Sequence, residues 1–318
     1  MTETTKKIFD CYEVRKTKEQ RKSFRAYLTQ LAGEYGYEVK EESVPKDACN
    51  VIVGDPARAK VIYGAHYDTC AVMPFPNLIT PKCFLTYLLY QIVLSVVLFA
   101  VPFIIMFVGA PHVLARTESN ALYLTTLLGG YALMLVIIYV MMNGPANKHT
   151  ANDNTSGVTL LIDIMRDLPA ESRDDVAFIF FDLEEKGLVG SKGYRQMHKE
   201  IAMGKPLINF DCISDGSNIL FAVRKKAVHL TEKLEEAFKG NEKYSVHVES
   251  KGVFYPSDQR NFDLGVGVSA LNKTKHGLLY MDKIHTVKDT VYDEDNVEFL
   301  KNGAIRLAKI LSDAKSYS

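Results

Sequence analysis

Residues 61–70, VIYGAHYDTC, decide how the rest of the chain is read. Positions 60–64 have the character of a buried strand, which delivers His66 and Asp68 at its carboxyl end. Side chains two apart on an extended chain point the same way, so the imidazole and the carboxylate can meet on one face. A metal-binding histidine needs that pairing: one ring nitrogen for the metal, the other held by a carboxylate that fixes tautomer and orientation. A His-x-Asp pair also occurs at ordinary polar strand ends, so its meaning rests on what surrounds it.

The chain has 318 residues, enough for one large α/β domain or two ordinary ones. Lys+Arg and Asp+Glu both number 38, so no global charge points to nucleic acid or an acidic partner. The five cysteines, Cys11, Cys49, Cys70, Cys83 and Cys212, are odd in number and form no C-x-x-C. A reducing compartment is the simpler reading of such usage than a disulfide framework. The first 27 residues contain no apolar core, so no secretory signal is expected there.

Working outward, residues 19–35 carry Phe24, Tyr27, Leu28 and Leu31 at helical spacing, and 37–42, 50–53 and 60–64 read as strands. The composition then changes. Residues 84–110 and 121–142 contain no charged side chain, and each run exceeds the roughly 20 residues that cross a hydrocarbon core. They are expected to form a two-helix transmembrane hairpin joined by 111–120, with Pro102 kinking the first helix and Gly129-Gly130 permitting close approach in the second. The alternative is a buried helical hairpin. Two crossings return the chain to the side it left, so the halves 1–83 and 144–318 form one discontinuous domain around an insert at 84–143. The sequence places the protein in the cell membrane, with that domain and both termini cytoplasmic. After the insert, 155–168 reads as a helix and VAFIFF, 176–181, as a central strand covered on both faces. Further strands are expected at 205–211, 218–223, 244–249 and 266–271, with helices at 190–199, 227–238 and 295–314. Strands alternating with helices imply an α/β fold with a mostly parallel central sheet flanked by helices.

Five further places carry chemistry. Asp153 lies in NDNTSG ahead of a helix, where a carboxylate can be a simple cap. Glu184 and Glu185 follow the apolar strand, and Asp211 ends LINFD; open α/β sheets place ligands at these carboxyl ends. His285 lies in KIHTVKDT. Two histidines and several acids make a nitrogen and oxygen donor set suited to zinc. They are too many for one tetrahedral ion, which suggests two metals sharing a carboxylate, with one acid left as general base.

GAHYD, NDNTSGV, FIFFDLEEKGLVGS, NFD and IHTVKDT, in that order, resemble the co-catalytic zinc aminopeptidase family. That family includes bacterial leucyl aminopeptidases, glutamate carboxypeptidase-like enzymes and glutaminyl cyclases. The resemblance covers residues 50–70 and 151–318. It implies the zinc-exopeptidase fold and two Zn²⁺ ions, with His66 a ligand of one ion and Asp68 the carboxylate that orients its ring. Asp153 resembles the carboxylate bridging both ions, Glu184 the general base and Glu185 the adjacent ligand. Asp211 and His285 resemble the remaining ligands, one for each ion. Two departures stand out. The family has a short loop where this chain has its apolar insert, and SDQRNF, 257–262, has Gln259 where histidine is common in the pocket-lining segment. The function expected is a membrane-anchored aminopeptidase acting on peptides with a free N-terminus. The alternatives are a non-catalytic membrane receptor or scaffold on the same fold and a single-zinc glutaminyl cyclase.

Overall fold

The computed structural model describes residues 1–313. Two compact units are present: Met1–Cys83 together with the chain from Ala146 onward, and Phe84–Pro145.

The first unit is built on one mixed sheet. Its strands are β1 (Val39–Val44), β2 (Ala48–Val53), β3 (Val61–His66), β4 (Val176–Phe181), β5 (Leu207–Phe210), β6 (Asn218–Val223), β7 (Ser245–Glu249), β8 (Gly265–Lys273) and the short β9 (Leu279–Tyr280). Their order is β1-β2-β4-β3-β5-β8-β6-β7, with β9 beside β8. The parallel arrangement expected from the sequence occupies the middle, where β4, β3, β5 and β8 run together. Towards the edges β2 pairs antiparallel with β1 and β4, and β6 antiparallel with β8.

The alternation of β4 shows why the sheet is covered on both faces. Val176, Phe178 and Phe180 enter one apolar cluster with Phe24 and Leu28 of helix α1 (Lys18–Glu34), Leu161 and Ile164 of α2 (Gly157–Asp167) and Leu300 of α3 (Glu294–Asp313). Ala177, Ile179 and Phe181 enter the other, with Tyr194, Ala202 and Phe262. A strand buried on both sides must be apolar at every position, which is what VAFIFF is. The last position of the expected closing helix, 314, lies outside the described residues.

Several boundaries differ from expectation. The helix expected at 155–168 begins at Gly157, because Ala151–Ser156 forms an irregular turn with non-helical φ/ψ at Asp153 and Asn154 and a cis Asp153–Asn154 peptide bond. An additional helix, Glu3–Tyr12, starts the chain on the Thr2 cap.

The second unit is a helical hairpin. The first apolar helix continues through a π-helical turn, Ile105–Gly109, and on to Thr117, so only Glu118 and Ser119 separate it from Asn120–Asn143. The connection expected at 111–120 is therefore mostly helical. Pro111 stands inside this helix, just after the π-helical turn. Gly130 lies against the first helix, and a Cβ there would meet Met106 Cγ at 2.6 Å; Gly129 faces open space. Both helices are long and apolar enough to cross a membrane, and little of either is buried.

Candidate active site

The sheet places the candidate residues at the carboxyl ends of three adjacent parallel strands. His66 ends β3; Asp182, Glu184 and Glu185 follow β4; Asp211 follows β5. Two loops complete the group: the turn carrying Asp153 and the segment carrying His285, whose backbone takes the left-handed conformation at φ 62°. A non-glycine residue rarely holds that conformation without surroundings that enforce it. Here the His285 carbonyl accepts from Met73 N–H at 2.7 Å, and Asn147 Nδ2 donates to the next carbonyl, Thr286 O, at 2.9 Å.

Asp153 is the centre of the arrangement. Its Oδ1 lies 3.1 Å from His66 Nε2 and its Oδ2 lies 3.0 Å from His285 Nε2. Each histidine faces a second acid: His66 Nε2 is 3.5 Å from Asp211 Oδ1, and His285 Nε2 is 3.3 Å from Glu185 Oε2. Two donor groups thus share one carboxylate. Asp68 reaches His66 from behind, its carbonyl 3.1 Å and its Oδ1 3.5 Å from Nδ1. The same carboxylate accepts the backbone N–H groups of Glu184 at 2.9 Å and Glu185 at 3.2 Å. One side chain therefore orients a ring and fixes the backbone of both glutamates.

Residues outside the expected donor set hold this group in place. Asp289 accepts the backbone N–H groups of Asn152 at 2.8 Å and Asp153 at 3.0 Å. Asn154 donates to Phe210 O at 3.0 Å and accepts from Gly157 N–H at 3.1 Å, tying the turn to β5 and to the helix start. Arg15, fully buried, donates to Tyr67 O and Thr155 Oγ1. Arg21 Nε pairs with Asp182 Oδ1 at 2.8 Å, anchoring the end of β4. Asp258 accepts from Ser191 in the same buried region. Within the departing SDQRNF segment, Gln259 donates to Tyr255 O at 2.7 Å and accepts from Asn209 at 3.3 Å, a role in the wall rather than among the site donors.

The electrostatics follow from crowding acids in a dry place. Burial pushes Glu184 well above the usual carboxylate range, helped by Glu185, Asp258 and Asp211. Burial likewise raises Glu185, carries Asp258 to about 7 and, with Asp153, carries Asp289 to about 8. Burial opposes charge on Asp153 too, but the two histidines outweigh it and hold that carboxyl below its ordinary value. Burial opposes a proton on His66, yet Asp153, Asp211 and Asp68 raise it well above its usual value. Carboxylates that hold protons so firmly on two rings offer the same field to divalent cations, which compete with those protons.

The donor set fits such ions. His66, Asp153 and Asp211 place ligand atoms within 4.8 Å of one another, as do Cys70, Glu185 and His285. Among the described residues Glu185 Oε1 is buried with no hydrogen-bond partner, an orphaned acceptor at the point where a cation would satisfy it. Nitrogen with carboxylate oxygen is a ligand class that zinc favours.

A cavity of about 790 Å³ adjoins this group. Two of its lining residues connect directly to the candidate residues: Tyr255 donates to Asp211 O at 2.9 Å, and Leu188 N–H to Glu184 O at 2.8 Å. Among the described residues its lining carries Lys192, Arg224, Lys225, Lys226 and Arg260, of which Lys226 is paired with Asp263 at 2.7 Å.

The description Peptidase family M28 matches residues 138–309, from the end of the second apolar helix to α3. Solved structures share the fold at low identity. The chain is 14% identical to a glutaminyl cyclase from Porphyromonas gingivalis, covering 96% of this chain and 95% of that one at TM-score 0.59. A Zn-dependent exopeptidase from Parabacteroides distasonis is 14% identical over 96% and 97%, at 0.58. The LapA aminopeptidase of Legionella pneumophila is 14% identical over 96% and 69%, at 0.54. No curated protein matches the chain. With this order of motifs, this sheet and this family match over more than half its length, the chain belongs to peptidase family M28, the co-catalytic zinc exopeptidases.

Proposed function

We propose that the protein is a membrane-anchored aminopeptidase that holds two zinc ions and removes N-terminal residues from peptides. The observation that carries this reading is Asp153, whose two oxygens face different histidines at 3.1 and 3.0 Å, each histidine backed by its own second acid. His66, Asp153 and Asp211 would hold one ion, and His285, Glu185 and Asp153 the other. Zinc bound there supplies Lewis acidity, which polarises a carbonyl and makes water acidic enough to be used near neutral pH.

Glu184 belongs to neither donor group and stands beside both. Its carboxylate takes the proton of the attacking water as oxygen adds to the scissile carbonyl carbon. It then returns that proton to the amide nitrogen as the C–N bond breaks, releasing the amine. A carboxyl raised by burial is the stronger base for the first step, and its proton is still available for the second. Asp68 keeps the peptide group of Glu184 still during the exchange. The surplus of acids at the site favours an end of the substrate that carries an amine. Lys192, Arg224, Lys225 and Arg260 of the adjoining cavity favour substrates whose remaining part carries carboxylate, such as short peptides with acidic side chains or a nearby C-terminus. The apolar helices Phe84–Thr117 and Asn120–Asn143 would anchor the enzyme in the bilayer.

Turnover of an aminoacyl anilide, its N-acetylated counterpart and an N-terminal glutaminyl peptide tests the reaction. The free anilide should be cut and the acetylated one spared. Equal cleavage of both would exclude an aminopeptidase, and cyclisation of the glutaminyl peptide without anilide cleavage would make the chain a cyclase.

A further inference from the structure

The two donor groups around Asp153 differ in one atom type. The group of His66, Asp153 and Asp211 is nitrogen and oxygen alone, whereas that of Glu185 and His285 also contains the sulfur of Cys70. Cys70 is 4% exposed, and its backbone is fixed on both sides. Its carbonyl accepts from Asn147 N–H at 3.1 Å, Ala71 bridges to Ala146, and Met73 N–H reaches the carbonyl of His285 itself. The segment that carries the thiol is thus bonded to the loop that carries the imidazole. Glu185, whose Oε1 is buried without a partner among the described residues, belongs to the same cluster.

Sulfur at about 2.3 Å and nitrogen or oxygen at about 2.1 Å from a tetrahedral zinc lie about 3.6 Å apart. The donor atoms of Cys70, Glu185 and His285, already within 4.8 Å of one another, need to close by about 1.2 Å at most, and Asp153 Oδ2 lies 3.0 Å from His285 Nε2. We propose that Cys70 is a metal ligand, so that thiolate, Glu185, His285 and one oxygen of Asp153 make a four-donor site for a soft divalent cation beside a three-donor site at His66, Asp153 and Asp211. The thiol proton leaves to solvent as the sulfur–metal bond forms. The inference rests on the two-zinc reading and deepens it, because it makes the two ions unequal. A site with four protein donors is closed, whereas one with three keeps a position for water or substrate. The reacting ion is then the one held by His66 and Asp211, and the Cys70 site is the tighter and more selective for zinc or cadmium over magnesium or manganese.

The test uses the full chain in detergent, freed of metal and titrated with Co²⁺. Wild-type protein should develop an intense near-ultraviolet thiolate-to-cobalt charge-transfer band that saturates at the first equivalent. Cys70→Ser should lose the band and bind that ion at least about tenfold more weakly. Cys212→Ser is the control, since Cys212 Sγ lies 3.1 Å from Asp211 Oδ1 and is the other thiol near the site. A band lost in Cys212→Ser and kept in Cys70→Ser overturns the proposal. Should Cys70→Ser fail to fold, alkylation of wild-type protein decides: Zn²⁺ should shield Cys70 from a small maleimide. Uptake of about two ions without any band, and with Cys70 equally reactive, would sink the ligand and leave the two-metal reading intact. No uptake at all would sink both.

Discussion

In the proposed mechanism Glu184 is the base, and a change of one atom tests it. Glu184→Gln keeps the size and the backbone contact to Asp68 but cannot accept a proton. We expect kcat to fall roughly 10²–10⁴-fold, the worth of a positioned base, with zinc content unchanged. Near-normal turnover in that variant would move the base elsewhere. Asp289 acts at one remove. Its two oxygens accept the N–H groups of Asn152 and Asp153, and Asn in its place would turn its amide NH2, a donor, towards one of those donors. Asp289→Asn should lower zinc affinity or turnover about 10- to 100-fold while leaving the fold in place, as measured by chelator competition and circular dichroism. Unchanged affinity and rate would show that the turn at Asp153 needs no such support. The seven candidate residues were legible in the sequence because each sits at a strand's carboxyl end or in a short motif of recognisable order. Asp289 lay in full view in IHTVKDT, but its partners are more than 130 residues away. Arg15 was hidden for the same reason, since it acts through contacts that exist only once the loops meet.

At the scale of elements, the site depends on close approaches that leave no room for a side chain. Gly157 opens the helix behind Asp153, and a Cβ there would fall 2.4 Å from Phe210 O and 2.5 Å from Asn154 Oδ1. Backbone cannot yield as a flexible side chain does, so Gly157→Ala should destabilise the domain by about 1–3 kcal/mol and reduce zinc content. Gly33→Ala is the comparison, because that position in α1 has nothing within 4 Å. It should be neutral or stabilising by about 0.5–1 kcal/mol in urea unfolding. Equal losses in both variants would remove the close-packing explanation. Helical spacing and the apolar run of β4 made these elements readable. The turn at 151–156 was not, because its shape is set by hydrogen bonds to Asp289, Phe210 and Cys212 rather than by a local period. The first apolar helix also runs further than expected, since the polar stretch that reads as a connection from 111 is helical as far as Thr117.

At the scale of the whole molecule, the insert and the peptidase unit pose separate questions. Replacing residues 77–147 by a linker would remove more than the hairpin. Asn77 Nδ2 lies 3.5 Å from His285 Nδ1, Asn147 holds Thr286 O, and Ile79 bridges to Met281. A short Gly/Ser linker in place of 84–145 spares these contacts. We expect it to give a soluble protein that binds zinc and retains turnover, tested by fractionation and anilide cleavage. A folded, zinc-loaded but inactive product would make the hairpin part of the machinery. If the hairpin spans the membrane with the peptidase unit inside, a cysteine at Ser119 should react with an impermeant reagent in whole cells and one at Lys148 should not; the reverse pattern would invert the topology. Above these questions stands whether the carboxylates around Asp153 hold metal for catalysis at all. Zinc content is decisive, determined by elemental analysis of the purified full chain with anilide hydrolysis followed on the same samples. Wild-type protein should carry about two zinc ions and His66→Ala or His285→Ala about one, with activity abolished by chelation and restored by Zn²⁺. A verified metal-free preparation that still cleaves at the full rate would contradict the metallopeptidase reading outright.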